Sequence, residues 1–367
     1  MVIQSDTRLA QLQERLRDSR TDLAVVGPSG NLRYLLGYQP VATERLMVLL
    51  IARNNALAIL PDFDAAEFAA ATGFTNLLPW TDRDGPGEAV RSAFARLSLP
   101  DQPSVLIDDD LTFRAVSQLR DYLGPRPPGL ASEILAEMRL LKTDDEIERI
   151  ARAGEFVSVA LDAALDAARP GMTELDLQRV IEMSLGSNGA EGEQYILVQA
   201  GPHSASPHHV AGRTELRSGE NILIDIAARF DGYYADITQQ VYLGEPPDEY
   251  VRAYDVVYAA QDAAVQRARA GATVHDVDAA ASDVILASEF GRWNGPTTGH
   301  GLGVDVHEPP RLVSTNHTEL RPGMVITIEP GVYIPDHFGI RIEDTVLVTD
   351  DTPRRLTRGS RQLHVNR

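Results

Sequence analysis

The chain has 367 residues, with 34 Lys and Arg against 53 Asp and Glu, a formal net charge of −19. That length suits two domains, each able to bury its own core, and the acidic balance leaves no basic footprint for nucleic acid or an anionic membrane. The absence of cysteine excludes disulfides, thiolate nucleophiles and Cys-ligated zinc, so any metal must be held by carboxylates and imidazoles.

The N-terminal twenty residues are amphipathic and charged, without the apolar core of a signal peptide. Apolar runs at Asp22–Val26, Leu46–Ile51, Ala56–Leu60 and Val105–Ile107 alternate with helical stretches such as Arg8–Arg17 and Gly87–Arg96, the pattern of a small α/β domain. The longest unbroken apolar run, Leu46 to Ala52, is far too short to span a bilayer, and a cytoplasmic enzyme is expected. Two Gly and three Pro in Gly124–Gly129 mark a boundary. The expected division is an α/β domain over 1–124, a linker over 125–131 and a second domain over 132–367.

The second domain opens with Thr143-Asp-Asp-Glu146, a capping box, followed by Ile147, Ile150, Val157, Leu161 and Leu165 at helical spacing. Pro170-Gly171 stops that helix and Thr173-Glu-Leu-Asp176 starts another. Residues 157–177 match 257–277 at Val157, Ala160, Asp162, Ala163, Ala164, Ala168, Arg169, Gly171, Thr173 and Asp176, always with an offset of 100. Alanine matches are cheap in helices, but Arg-x-Gly-x-Thr-x-x-Asp repeats a helix stop and the next N-cap. This predicts two similar halves, each a helix pair followed by strands. The strands expected are Asn221–Ala228 and Tyr234–Leu243 in one half, and Met324–Ile328 and Ile340–Val348 in the other. Together they suggest α+β architecture, a curved antiparallel sheet with helices outside it.

Asp231-Gly232 is a strong two-residue hairpin signal. It pairs Ala227 with Asp236 and Asp225 with Thr238, so Asp225 and Asp236 become diagonal neighbours on one face, roughly 7–8 Å apart at Cα. An odd-length turn would separate them. Asp225 sits within Ile222-Leu-Ile-Asp-Ile226, where an unneutralised charge is costly. The competing reading is an ordinary ion pair, yet Arg229 is the only basic residue between 221 and 243. Glu329 and Glu343 are again acids embedded in apolar runs, 104 and 107 residues after Asp225 and Asp236. All nine histidines lie beyond residue 200, and His300 stands among glycines in Gly299-His-Gly-Leu-Gly303. His317, His337 and His364 carry no such company and read as surface or core residues. Four carboxylates on one cavity repel unless cations intervene. Two divalent ions would balance them, and mixed oxygen and nitrogen donors suit Mn²⁺, Co²⁺, Fe²⁺ or Zn²⁺ better than Ca²⁺. Two such ions roughly 3.5–4 Å apart provide the machinery of metal-assisted hydrolysis.

With Asp225-x10-Asp236, Gly299-His300-Gly-Leu-Gly-x3-His307-Glu308, Glu329-Pro-Gly331 and Arg341-x-Glu343-Asp in order, the chain resembles the pita-bread metallopeptidases: prolidase, aminopeptidase P and methionine aminopeptidase. Met138-Arg-Leu-Leu-Lys142-Thr is similar to the start of their catalytic domains. Asn31-Leu-Arg-Tyr-Leu-Leu-Gly37-Tyr is similar to a segment of the N-terminal domain in the prolidase and aminopeptidase P branch. The resemblance implies that Asp236 and Glu343 bridge two metals, that Asp225 binds one and that His300 with Glu329 binds the other. It implies that His208 and His307 are catalytic and substrate-binding histidines and that Glu329 also serves as an acid/base partner of the attacking water. Arg341 would orient the ligand carboxylates, and Arg311 would take the terminal carboxylate of a dipeptide. A homodimer is also implied.

The chain departs from the pattern at Pro296, where these peptidases commonly carry a histidine; His203 and His337 are candidates to replace it. The activity implied first is hydrolysis of the imide bond in Xaa-Pro dipeptides, with two Mn, Co or Zn ions as cofactors and a small peptide with proline after the scissile bond as substrate. Aminopeptidase P activity on longer peptides is the alternative. A metal-free amidinohydrolase or binding protein of the same fold would generally lack the five ligands. No Gly-x-Ser-x-Gly supports a serine hydrolase, and the prolines after His307-Glu308 exclude a His-Glu-x-x-His zinc site.

Overall fold

Strands buried at every position open the fold: β1 (Leu23–Val26), β2 (Val48–Ala52) and β3 (Ala56–Pro61). Such all-apolar strands require cover on both faces. The computed structural model describes residues 2–359 and 362–366, with side chains from Thr7 onward. With β4 (Leu77–Trp80), β5 (Val105–Ile107) and β6 (Gly129–Leu130), the first strands form one sheet ordered β4-β3-β2-β1-β5-β6. Its antiparallel pairs are β1–β2 and β2–β3, and its parallel pairs are β3–β4, β1–β5 and β5–β6. Helices α1 (Val2–Asp18), α2 (Gly30–Leu36), α3 (Ala65–Thr72), α4 (Gly87–Leu97) and α5 (Phe113–Leu119) complete the α/β pattern. The segment Asn31–Gly37 is α2 with its C-cap; Ser29 caps its start and Gly37, at φ 76°, closes it.

The chain divides into two compact units, Met1–Arg139 and Leu140–Arg367. The division falls later than the Gly/Pro stretch suggested. Gly129 and Leu130 pair with Leu106 and Ile107, so the end of the expected linker extends the first sheet, and α6 (Ser132–Leu140) follows.

In the second unit, α7 (Asp144–Ala167), α8 (Glu174–Ser187) and α10 (Val274–Leu286) each begin with a full capping box, on Thr143, Thr173 and Thr273. The fourth helix, α9 (Asp248–Arg267), pairs with α10 as α7 pairs with α8. Backbone bonds repeat along with the sequence. Gly171 N donates to Leu216 O at 3.0 Å and Gly271 N to Leu320 O at 3.1 Å, while Thr173 bridges Glu215 as Thr273 bridges Glu319. The duplication inferred from the offset of 100 is thus written into the hydrogen bonding.

The first half contributes β7 (Glu191–Ala200), β8 (Asn221–Phe230) and β9 (Tyr233–Leu243). Asp231 and Gly232 turn the hairpin at φ 47° and 84°. The second half contributes β10 (Gly299–Gly301), β11 (Glu308–Leu312), β12 (Val325–Ile328), β13 (Gly331–Ile334), β14 (Phe338–Arg341), β15 (Asp344–Leu347) and β16 (Arg354–Arg355), and β17 (His364–Asn366) ends the described chain. The sheets run β17-β9-β8-β7 and β11-β10-β12-β15-β16, with β13–β14 as a separate hairpin. Pairing is antiparallel except at the edge, where β17 runs parallel to β9. A bridge between Thr238 and Glu343 joins the two halves. Val157, Leu161, Leu177, Ile224 and Ile237 form the first apolar core, and Val257, Val277, Ile326, Ile340 and Val346 the second.

One strand expectation is corrected. Ile340–Val348 is not continuous: β14 pairs with β13, β15 pairs with β12, and the change of partner falls at Ile342-Glu343. There Glu343 N donates instead to Thr238 O at 3.1 Å.

Candidate metal centre

The hairpin register puts Asp225 opposite Thr238 and Asp236 opposite Ala227, as the two-residue turn requires. Both acids therefore project from one face of neighbouring strands. Donor atoms of Asp236, His300 and Glu343 all lie within 4.8 Å of one another. Glu329 Oε1 is 3.2 Å from His300 Nε2, and Arg341 Nη2 is 2.5 Å from Asp225 Oδ2. The residues singled out in the sequence converge from β8, β9, β10 and the turns after β12 and β14.

Glu343, expected within a strand, lies at a change of strand partner, whereas the strand before Glu329 ends where expected. Glu329 follows the end of β12, because Pro330 has no N–H to continue the ladder, and its own N–H donates to Thr298 O at 2.8 Å. At His300 close backbone approach explains the glycines. A Cβ on Gly299, at φ 151°, would lie 2.2 Å from Thr327 O, and one on Gly301 would lie 2.3 Å from Pro309 O. His300 Nδ1 is 3.0 Å from Gly301 O, which leaves Nε2 facing the carboxylates.

Two threonines and one tyrosine not singled out in the sequence complete the surroundings. Thr238 Oγ1 donates to Glu343 Oε2 at 2.6 Å, and Thr327 Oγ1 to Glu329 Oε1 at 3.1 Å. Arg341, with 4% of its side chain exposed, also donates to Tyr333 Oη at 3.0 Å. Thr238 was legible from the register, since it faces Asp225. Nothing in the sequence marks Tyr333.

Electrostatics show what the cluster lacks. Burial, then the charge of Asp225, pushes Asp236 well above the ordinary carboxylate range. Burial, then Asp236 and Glu329, does the same to Glu343. Burial opposes a charge on His300, but its hydrogen bond to Glu329 and the charges of Glu329 and Asp236 together outweigh this and push the imidazole up to about 9. Ionising all four carboxylates against one guanidinium is thus opposed until further positive charge enters the cluster. Among the described residues, Asp236 Oδ1 and Glu343 Oε1 find no hydrogen-bond partner although both are buried. Such orphaned oxygens are costly, and the mixed carboxylate and imidazole donor set fits divalent transition-metal ions.

His307 sits edge-on to His300, with ring centroids 4.4 Å apart. Its pKa is lowered by burial first, then by His300, with His208 acting in the same direction. His208 itself is exposed. Arg311 is exposed on β11 directly opposite His300, and therefore leaves the same face of the ladder. Pro296 is exposed. Neither candidate replacement is free: His203 Nδ1 is 2.8 Å from Glu174, and His337 is 3.5 Å from Glu249.

Duplicated halves, each a helix pair with its own sheet, with acids and an imidazole gathered between them, define a pita-bread metallopeptidase. The chain belongs to metallopeptidase family M24, whose model matches residues 148–350, and a creatinase/prolidase N-terminal domain matches 8–141. It is 33% identical over 349 residues to a probable dipeptidase PepE of Mycobacterium tuberculosis, covering 94% of this chain and 92% of the relative. It is 30% identical over 359 residues to an Xaa-Pro dipeptidase of Pyrococcus horikoshii, covering 97% and 98% of the two chains. The crystal structure of a prolidase from Thermococcus sibiricus superposes with a TM-score of 0.92 at 31% identity, covering 98% of each chain. Among the described residues, no helix is long and apolar enough to cross a membrane.

Proposed function

We propose that this metallopeptidase hydrolyses the imide bond of Xaa-Pro dipeptides with two divalent ions, Mn, Co or Zn. The observation that carries the reading is the pair of buried, partnerless oxygens on Asp236 and Glu343 within a convergent donor set. Asp236 and Glu343 would each reach both ions, Asp225 one of them, and His300 with Glu329 the other. Bound ions would supply the positive charge that activates water and polarises a carbonyl.

The protein's own groups divide the remaining work. Arg341 holds Asp225 in place and Thr327 holds Glu329, so the ligand carboxylates are oriented before a substrate arrives. Glu329 would take and return the proton of the attacking water. His208 and His307 would donate hydrogen bonds to the substrate and to charge developing on its carbonyl oxygen. A neutral His307, favoured by its lowered pKa, still has one ring N–H for this purpose. Arg311 would meet the terminal carboxylate, which favours dipeptides. The proline nitrogen carries no proton and its ring fixes the bond, so this substrate demands a dedicated site. The names of the similar proteins, dipeptidase and prolidase, support the same choice. A homodimer and a cytoplasmic setting belong to the same reading.

Ala-Pro and Ala-Pro-Ala assayed in parallel test the specificity. Cleavage of the dipeptide is expected, and cleavage of the tripeptide alone would replace the dipeptidase with an Xaa-Pro aminopeptidase. Elemental analysis of protein purified without chelator tests the ions. Absence of any transition metal would point to a metal-free binding protein or amidinohydrolase.

A further inference from the structure

We propose that Glu174 and Gln199 are positioning residues that fix the loop bearing His208 against the metal centre; this rests on the reading of His208 as a substrate-binding group. Glu174 is fully buried at the start of α8. Its Oε1 accepts from Ala200 N at 2.9 Å and lies 2.8 Å from His203 Nδ1, while its Oε2 accepts from Gly212 N at 2.9 Å and lies 3.2 Å from His209 Nε2. One carboxylate thus ties both ends of the 200–212 loop and the two imidazoles that flank His208.

Gln199 grips the same loop through its backbone. Its Nε2 donates to Ser206 O at 3.1 Å, Pro207 O at 3.3 Å and His209 O at 3.1 Å. The exposed His208 ring therefore hangs from a backbone that is held on both sides. Gln199 lies on β7 two residues from Leu197, which pairs with Asp225, so the clamp and a metal ligand share one strand ladder. Displacing a substrate-contacting group by about 1 Å can cost roughly a hundredfold in rate, which gives such a clamp a kinetic consequence.

Glu174, His203 and His209 could also ligate an ion. The geometry favours a clamp, because each carboxylate oxygen already accepts a backbone N–H and the two rings stack with centroids 3.8 Å apart.

The test uses the metal-loaded enzyme with Glu174→Gln, Gln199→Leu, His208→Ala and the corresponding double variants. For Glu174→Gln and Gln199→Leu, kcat on Ala-Pro should fall roughly 10- to 100-fold with metal content unchanged. Combined with His208→Ala, either change should add nothing, since the effect passes through His208. Hydrogen exchange over 200–212 should quicken in Glu174→Gln and not in His208→Ala. Losses that multiply in the double variants would overturn the proposal, as would loss of a third bound ion in Glu174→Gln. Unchanged turnover in His208→Ala would sink the functional reading and this proposal with it, whereas unchanged exchange in Glu174→Gln would sink the clamp alone. If Glu174→Gln fails to fold, Gln199→Leu carries the same comparison.

Discussion

Lys142 Nζ lies 3.1 Å from Glu308 Oε2, with 3% of each side chain exposed. The pair ties the start of the catalytic unit to the residue after His307, and Glu308 Oε1 also accepts from Asp305 N at 3.2 Å. This gives physical content to the Lys142-Thr143 motif, whose role the sequence left open. Lys142→Met should destabilise the protein by about 3–5 kcal/mol, because it removes a cation from beside a buried carboxylate. Lys142→Met/Glu308→Gln should recover part of that loss. Urea unfolding measures both, and a cost below about 1 kcal/mol for the single change would contradict the account.

Asp236→Asn should abolish hydrolysis while circular dichroism stays native. The expected loss exceeds the 10- to 100-fold typical of residues that only support a ligand, so more than about 100-fold is predicted. His208→Ala should instead lower kcat by roughly 10²–10³ with bound metal unchanged. Elemental analysis beside steady-state assays separates the two roles.

Arg311→Ala should raise KM for Ala-Pro about tenfold or more and leave kcat nearly unchanged, since a contact to a distant carboxylate is made equally in ground and transition states. A fall in kcat at constant KM would assign Arg311 to the reacting centre.

Chelation should make stability depend on pH. Asp236 and Glu343 have raised pKa values, so the stability they contribute is complete below their unfolded values and is lost as pH rises through the folded ones. His300 works in the same direction, its contribution fading as pH rises towards about 9. Stripped protein should therefore melt at progressively lower temperature as pH rises from the ordinary carboxylate range to about 9, with the lowered His307 offsetting part of the slope below its ordinary value, and restored cations should remove most of that slope. Parallel melting curves for loaded and stripped protein would refute this.

What was legible in the sequence follows from how local its physical cause is. Asp225 and Asp236 were placed together because a two-residue turn fixes register, and register fixes face. Capping boxes at Thr143 and Thr173 depend on residues three apart and were equally legible. Glu329 and Glu343 are legible through their company, but the break in the strand at Glu343 is not, because a change of strand partner is decided by elements far along the chain. Tyr333, Lys142 with Glu308, and Glu174 with its two histidines depend on packing between segments whose meeting no local pattern announces. His203 illustrates the limit: it was a candidate for the proline side of the site, and the fold commits its Nδ1 to Glu174 instead.

The joint between the duplicated halves has a consequence for synthesis. Asp225 and Asp236 come from the first half, while His300, Glu329 and Glu343 come from the second, and Thr238 meets Glu343 where the halves join. A nascent polypeptide halted before Glu343 holds an incomplete donor set however well its earlier portion has folded.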